Sequence, residues 1–148
     1  MPTEILKLKI FDAFVTIPEP SGNFVILNIT EEDVEREGGY PLPRRRLAQI
    51  QVDLINKGAI GVGWVISFPQ PDRMGGDEVF ATTLSYAPSV LATFEDGNQN
   101  YPKTTGTVIK GPDVGGLVST GVKQNYYLYN DIAQGVAIAP TEVDQLVR

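Results

Sequence analysis

The sequence predicts an α/β fold: a three-layer-like domain with a central, mainly parallel sheet flanked by helices, plus a β-rich C-terminal part. Apolar, β-branched runs at residues 24–29, 59–68 and 89–94 are typical of strands buried on both faces. Helical patterns separate these runs, and strand–helix–strand order predicts parallel pairing. At 148 residues with 42% hydrophobic composition, residues 1–148 fit a single domain with a substantial core.

The N-terminal elements follow from local signals. Residues 5–17 mix alternation with helical spacing and predict either a helix or a strand, and the proline- and glycine-containing residues 18–23 predict a turn. Thr30 is a good N-cap for a short helix, and the three acidic residues after it suit the helix dipole. Gly38 and Gly39 are expected to end that helix.

The clearest helix is predicted from Arg44 to Asn56, after a rigid extended loop at residues 40–43. Its apolar residues form one core-facing stripe, which comprises Leu47, Ile50, Leu54 and Ile55. Lys57 and Gly58 close it. After a loop at residues 69–76, Asp77 is expected to cap another helix, which runs to about residue 86. Beyond residue 95 the sequence predicts a polar hairpin or excursion and short β-like pieces at residues 107–109 and 135–139.

Composition excludes several functional classes. The chain has no cysteine and no histidine, so it has neither a Cys–His nor a Ser–His nucleophilic pair, and no imidazole or thiolate metal site. No cofactor is predicted. A net charge of -6 argues against binding nucleic acid or an anionic membrane surface. No apolar run approaches the roughly 18–20 residues of a membrane helix, and the start does not resemble a signal peptide.

A basic cluster lies at the start of the clearest helix, at residues 44–46. Three cations at a helix N-terminus oppose the helix dipole. This mismatch predicts that at least one of them pairs with a local acid such as Asp33 or Glu37. Arg44, held by the preceding Pro43, is the candidate for a structural or ligand-facing ion pair.

Several other polar and aromatic motifs allow either a structural or a functional interpretation. Asp72, Asp77 and Glu78 flank the loop after the second strand and could hold a hard cation, although capping and solvation explain Asp77 and Glu78 equally well. Gly75-Gly76 before a helix predicts a plain loop more readily than an anion site. Trp64 is expected in the core. The tyrosines at positions 126, 127 and 129 indicate an interface or a core edge.

Gly-Tyr-Pro-Leu-Pro-Arg at residues 39–44, Lys-Gly-Ala at 57–59 and Phe-Pro-Gln-Pro-Asp at 68–72 follow one another in the chain. This order resembles the type-2 CHASE domain, an extracytoplasmic sensory module of bacterial adenylate cyclases, histidine kinases and related receptors. The family pattern is Gly-x-Trp-Pro-Trp-Pro-Arg, a helix, Gly-Ala, and a strand ending Phe-x-x-Pro-Asp. The matching positions here are Gly39, Pro41, Pro43, Arg44, Gly58, Ala59, Phe68, Pro71 and Asp72, with Tyr40 and Leu42 at the aromatic positions.

The resemblance extends over nearly the whole chain. Residues 6–14, which include Asp12, are similar to the family's opening, and Gly135 and residues 144–148 are similar to its C-terminal glycine and Asp-Gly-x-x-Arg element. Four positions depart from the pattern. Asn28, Thr30 and Val65 stand where the family often has aspartates, and Gln145 replaces the glycine of the terminal element. An acidic pocket is therefore not carried over to this chain.

The resemblance implies that residues 1–148 are a single sensory domain, a fragment of a longer membrane receptor. It would lie outside the cytoplasmic membrane, periplasmic or extracellular, and relay a signal to a cytoplasmic adenylate cyclase or histidine kinase. The domain itself would not be an enzyme. The partners implied are a small-molecule ligand, flanking transmembrane helices and a second copy in a homodimer, with no nucleic acid.

Topology and resemblance place the ligand pocket at the C-terminal ends of the strands. The predicted ligand-binding residues are Asn28, Thr30, Glu31, Tyr40, Pro41, Pro43, Arg44, Ser67 and Asp72. Replacing Arg44 by alanine is expected to impair signalling or ligand binding with a modest loss of stability. No residue is predicted to be catalytic or to ligate a metal.

Two alternatives stay open. One is a small metal-dependent hydrolase or transferase that uses the carboxylates of Asp72, Asp77 or Glu31 with a divalent cation. The other is a dimerisation domain without a ligand.

Overall fold

The structure, a computed structural model, describes residues 2–14, 19–96 and 122–137. The chain divides into two compact units: Met1–Glu31 with Ala139–Arg148, and Glu32–Ile138. The candidate site described below belongs to the second unit. None of the helices in the described residues is long and apolar enough to cross a membrane.

The first unit begins with helix α1 (Pro2–Phe14), which resolves the choice between helix and strand for this segment. Residues 24–29, predicted as a buried strand, form neither helix nor strand, and Phe24 and Val25 are 91% and 90% exposed. That prediction is wrong. A strand needs a neighbour for its backbone N–H and C=O groups, and the described part of this unit contains no other strand.

The second unit is built on a four-stranded sheet of β1 (Val62–Trp64), β2 (Ser89–Glu95), β3 (Val122–Lys123) and β4 (Ala133–Val136). Strands β1 and β4 both pair with β2 in parallel, and the end of β2 pairs antiparallel with β3. The predicted α/β fold with a mainly parallel sheet is confirmed. The β-like piece predicted at residues 107–109 lies outside the described residues.

Helices α2 (Glu31–Arg36) and α3 (Arg44–Asn56) end where glycines permit a left-handed backbone. Gly38, Gly39 and Gly58 have φ angles of 89°, 112° and 98°, a region that other residues rarely adopt. Both helix ends are therefore confirmed, and α3 has the predicted bounds. The predicted stripe of α3 is confirmed only at Leu47, because Ile50, Leu54 and Ile55 are half-buried.

The second predicted strand is much shorter than its apolar run. Only Val62–Trp64 pair with β2, within a run predicted over residues 59–68. At the far end of the run, the N–H of Phe68 donates to Asn125 Oδ1 and its carbonyl accepts from Tyr126 N, at 2.5 and 2.7 Å. These partners come from a distant part of the chain, so the local pattern could not predict them.

The core of the second unit is aromatic and lies around helix α4 (Asp77–Leu84). Phe80 is fully buried, with ring centroids 5.3 Å from Trp64, 5.3 Å from Phe68 and 5.9 Å from Tyr129. These edge-to-face contacts suit the charge distribution of aromatic rings. Trp64 also donates its Nε1–H to Gln51 Oε1 at 2.8 Å. Its predicted place in the core is confirmed.

Candidate functional site

A buried arginine lies at the start of α3. Arg44 is only 6% exposed, and its guanidinium carbon lies 4.4 Å from the centroid of the Phe68 ring. Its Nε lies 3.6 Å from Asp77 Oδ1, which makes an ion pair but not a hydrogen bond, and Nε has no hydrogen-bond partner in the described residues. Nη1 donates to the carbonyl of Leu42 at the long distance of 3.5 Å. Arg44 is therefore buried beside an opposite charge with its hydrogen-bonding capacity poorly used.

Asp72 holds the loop before α4 against the start of α3. Its Oδ2 accepts from the N–H groups of Arg44 and Gly76, both at 3.0 Å, and its Oδ1 accepts from Met74 N at 3.1 Å. Burial raises the pKa of Asp72, but these three donors and the Arg44 charge together bring that pKa below its usual value. Asp72 is therefore an ionised carboxylate that already satisfies three backbone donors.

Asp77 is the second carboxylate of the cluster, and its predicted role as a helix cap is wrong. It is the first residue of α4, and Gly76 occupies the N-cap position. The Asp77 side chain turns into the protein, where Oδ2 accepts from Asp72 N at 2.6 Å and Oδ1 accepts from the Tyr129 hydroxyl at 2.5 Å. Because Tyr129 lies far along the chain, local sequence signals did not reveal this pairing.

Tyr129 belongs to a short 3₁₀ helix (Tyr127–Tyr129) and is fully buried. Burial raises the pKa of its phenol, and the neighbouring Asp77 carboxylate raises that pKa further. Tyr129 is therefore a neutral hydrogen-bond donor. Of the two readings given to the tyrosines, the core edge applies to Tyr129, while Tyr127 is 64% exposed.

Gly76 is required by close approach. A Cβ atom at this position would lie 2.7 Å from Arg45 N, 2.9 Å from Arg44 Cβ and 2.9 Å from Asp72 Oδ2. Its N–H is also engaged by Asp72. The Gly75-Gly76 pair is therefore in a loop, as predicted, and Gly76 lets this loop pack closely against the start of α3.

A cavity of about 410 Å³ lies beside this cluster. The residues that line it are Pro41, Arg44, Gln70, Pro71, Asp72 and Arg73. Four of them belong to the loop that follows β1, and ligands of parallel α/β sheets commonly bind in the loops at the carboxyl ends of strands. The cavity is large enough for a small organic molecule.

The predicted ligand-binding residues fall into three sets. Pro41, Arg44 and Asp72 line the cavity. Tyr40, Pro43 and Ser67 belong to the same unit but are not among the lining residues, and Tyr40 is 73% exposed. Asn28, Thr30 and Glu31 belong to the first unit, and their part in a pocket stays a prediction.

Gln70 and Arg73 were not among the predicted site residues, although both line the cavity. Gln70 and Arg73 lie on either side of the Pro-Asp pair at positions 71–72, which matches the family pattern. Their exposed polar side chains in a loop after a strand are a signal that could have identified them.

The basic cluster behaves partly as predicted. Arg46 Nε pairs with Glu37 Oε1 at 2.7 Å, which confirms that one of the three arginines meets a local acid. Asp33 instead pairs with Arg36, at 3.1 Å. Arg44 makes the buried ion pair with a more distant acid, Asp77.

A metal site is not supported by the arrangement of carboxylates. Asp72 and Asp77 lie together, but Arg44 is beside them and protein donors occupy their oxygens. Glu78 is exposed. Among the described residues, no group of three or more Asp, Glu, His or Cys side chains could hold a metal ion.

The pKa of Asp72 predicts a specific acid dependence of stability. Folding favours the ionised form, so the contribution of Asp72 is fully present above the unfolded pKa, near 3.8, and is lost as the pH falls through the lower folded value. We expect Asp72→Asn to destabilise the chain at neutral pH and to flatten the loss of stability below about pH 4. Urea unfolding at several pH values measures this.

Asp53→Asn is the matched control for this prediction, because it removes the same charge from an exposed position of α3. An acid slope for Asp72→Asn as steep as that of Asp53→Asn would contradict the assigned role of Asp72.

These features define an α/β domain with a cavity in the loop after a parallel strand, lined by both charged and apolar residues, an arrangement suited to binding. The family model of the CHASE2 domain matches residues 2–148, and the chain belongs to this family. CHASE2 domains are sensory domains of receptors, and the domain is not itself catalytic. The chain has no match among curated proteins or solved structures.

Proposed function

We propose that residues 1–148 are the single extracytoplasmic sensory domain of a bacterial transmembrane receptor. The domain binds a small molecule and relays its presence to a cytoplasmic output domain of the adenylate cyclase or histidine kinase type. Flanking transmembrane helices connect the two sides, and the receptor works as a homodimer. Family membership supports the sensory role, since CHASE2 domains are typically extracellular parts of membrane receptors.

The observation that carries this proposal is the buried cluster beside the cavity. Arg44 starts α3, Asp72 is in the loop after β1, and Asp77 starts α4. All three are joined by hydrogen bonds or an ion pair, and Arg44 and Asp72 also line the cavity. A molecule in the cavity therefore touches the groups that fix two helices relative to each other.

This arrangement provides a route from binding to movement. A ligand that engages Arg44 competes with Asp77 for the guanidinium, so it favours a different placement of α3 against α4. Such a ligand shifts the balance of states only as far as it binds one state better than the other.

The location is tested with a single thiol. The chain has no cysteine, so Lys57→Cys adds one reactive group at the exposed residue that follows α3. In the parent receptor, freed of other cysteines, we expect a membrane-impermeant maleimide to label this thiol in intact cells. A cysteine placed in the output domain is the control, and it should react only after the cells are permeabilised.

Labelling of the Lys57→Cys variant only after permeabilisation would place the domain inside the cell and overturn the proposal.

Two other functions are told apart by different measurements. A metal-dependent hydrolase requires turnover that depends on a divalent cation. A ligand-free dimerisation domain would be labelled from outside as well. It is separated from a sensor by whether occupancy of the cavity changes the output of the receptor.

A further inference from the structure

Donors and acceptors around the cavity are unequally used. Asp72 accepts three backbone N–H groups, and both oxygens of Asp77 accept hydrogen bonds from Asp72 N and the Tyr129 hydroxyl. Each carboxylate is thus engaged by protein donors. Asp72, the carboxylate of the two that lines the cavity, has three of its roughly four acceptor sites taken, which leaves little capacity for a cationic ligand.

By contrast, the two arginines that line the cavity have few protein partners for their guanidinium groups. Arg44 is 6% exposed, its Nε has no hydrogen-bond partner in the described residues, and its Nη1 bond to Leu42 is 3.5 Å long. Arg73 is exposed and makes no ion pair within the part of the chain that the structure describes. A guanidinium carries five N–H donors in a planar fork that suits an oxyanion.

We infer that the cavity binds a small organic anion, with Arg73 and Arg44 as its cationic partners and the Gln70 amide as a further polar contact. Pro41 and Pro71 provide apolar wall, so the ligand joins an apolar body to one carboxylate or phosphate group. This inference rests on the proposed function and specifies its ligand class. A carboxylate and a phosphate offer the same acceptor chemistry to arginine.

The test uses the whole 148-residue chain and three probes: benzoate, its uncharged analogue benzamide, and inorganic phosphate. Binding is followed by NMR titration of the isotope-labelled chain at constant chloride. We expect benzoate, phosphate or both to bind with a Kd of about 1 mM or lower. Amide signals of Gln70, Asp72, Arg73 and Arg44 should move. Benzamide should bind at least about tenfold more weakly than benzoate, because it lacks the charge.

Arg73→Gln keeps the buried cluster intact and is expected to weaken anion binding about tenfold, the loss of one charge-assisted contact. Lys57→Gln is the matched control. It removes the same charge at the end of α3 opposite Arg44, roughly 20 Å from Arg44 along the helix axis and well beyond the Debye length of about 8 Å in physiological salt. Its anion affinity should equal that of the wild type.

The relative response to benzoate and phosphate distinguishes a carboxylate ligand from a phosphate ligand. Saturable binding that Arg73→Gln weakens and Lys57→Gln does not would support the inference. The inference would be overturned if neither anion bound, if benzamide bound as well as benzoate, or if the two variants lost affinity equally. None of these outcomes would change the thiol labelling expected from outside the cell. The ligand class and the extracytoplasmic location are therefore tested separately.

Discussion

Replacing Arg44 by alanine is expected to destabilise the chain by about 3–5 kcal/mol. The substitution leaves Asp77 buried without its opposite charge and removes the contact between the guanidinium and the Phe68 ring. It also opens space in the wall of the cavity. A modest loss was expected from the sequence, but Arg44 is 6% exposed, so the structure predicts a much larger one.

Urea unfolding followed by far-ultraviolet circular dichroism measures this loss. Arg45→Ala is the matched control, since the neighbouring arginine is exposed on the same helix. Its free energy of unfolding should change by no more than about 0.5 kcal/mol. Equal effects of the two substitutions would show that the buried ion pair contributes little to the fold.

Replacing Phe80 by alanine is the second substitution with a large expected effect, again about 3–5 kcal/mol. Phe80 is fully buried, and its ring meets Trp64, Phe68 and Tyr129. Truncation leaves a cavity beneath the cluster, because these rings are held by β1, the following loop and the 3₁₀ helix and cannot all collapse inward. Near-ultraviolet circular dichroism should also lose the signal of Trp64.

Phe94→Ala provides the comparison for Phe80. It removes the same side chain from β2, where Phe94 is 41% exposed. We expect a loss of about 1 kcal/mol. If Phe94→Ala cost as much as Phe80→Ala, the aromatic core would not be centred on α4 as described.

The sequence could predict helix α3 because every signal for it is local. Pro43 precedes its start, Gly58 follows its end with a φ of 98°, and the apolar spacing lies between them. The same holds for β2, where a continuous apolar run coincides with a strand that is buried at Leu91, Ala92 and Thr93.

The strand predicted at residues 24–29 failed for a physical reason. An apolar, β-branched run indicates that a segment is able to pair, but pairing depends on a neighbour that the local pattern does not specify. Asp77 was misassigned in a similar way. An aspartate before a helix usually caps it, and only the fold brings the hydroxyl of Tyr129 and the N–H of Asp72 to its carboxylate.

The candidate site was therefore half predictable. Arg44 stood out because a cation at a helix N-terminus opposes the dipole, and both Arg44 and Asp72 matched the family pattern. Asp77 and Tyr129 complete the cluster through long-range contacts. Asp77 lies 33 residues from Arg44 in the sequence, and Tyr129 lies 52 residues from Asp77. Contacts of that separation depend on the packing of α4 against the rest of the unit, which no single segment specifies.

The central claim is that occupancy of the cavity changes the output of the receptor, and a thiol placed in the cavity tests it without knowledge of the ligand. In the parent receptor, Gln70→Cys puts the thiol on an exposed residue of the cavity wall, and Lys57→Cys puts it at the far end of α3. Both are labelled to completion with a bulky membrane-impermeant reagent in intact cells, and cyclic nucleotide or phosphohistidine is measured. We predict that labelling at position 70 changes the output and labelling at position 57 does not. Unchanged output after complete labelling at position 70 would contradict the account.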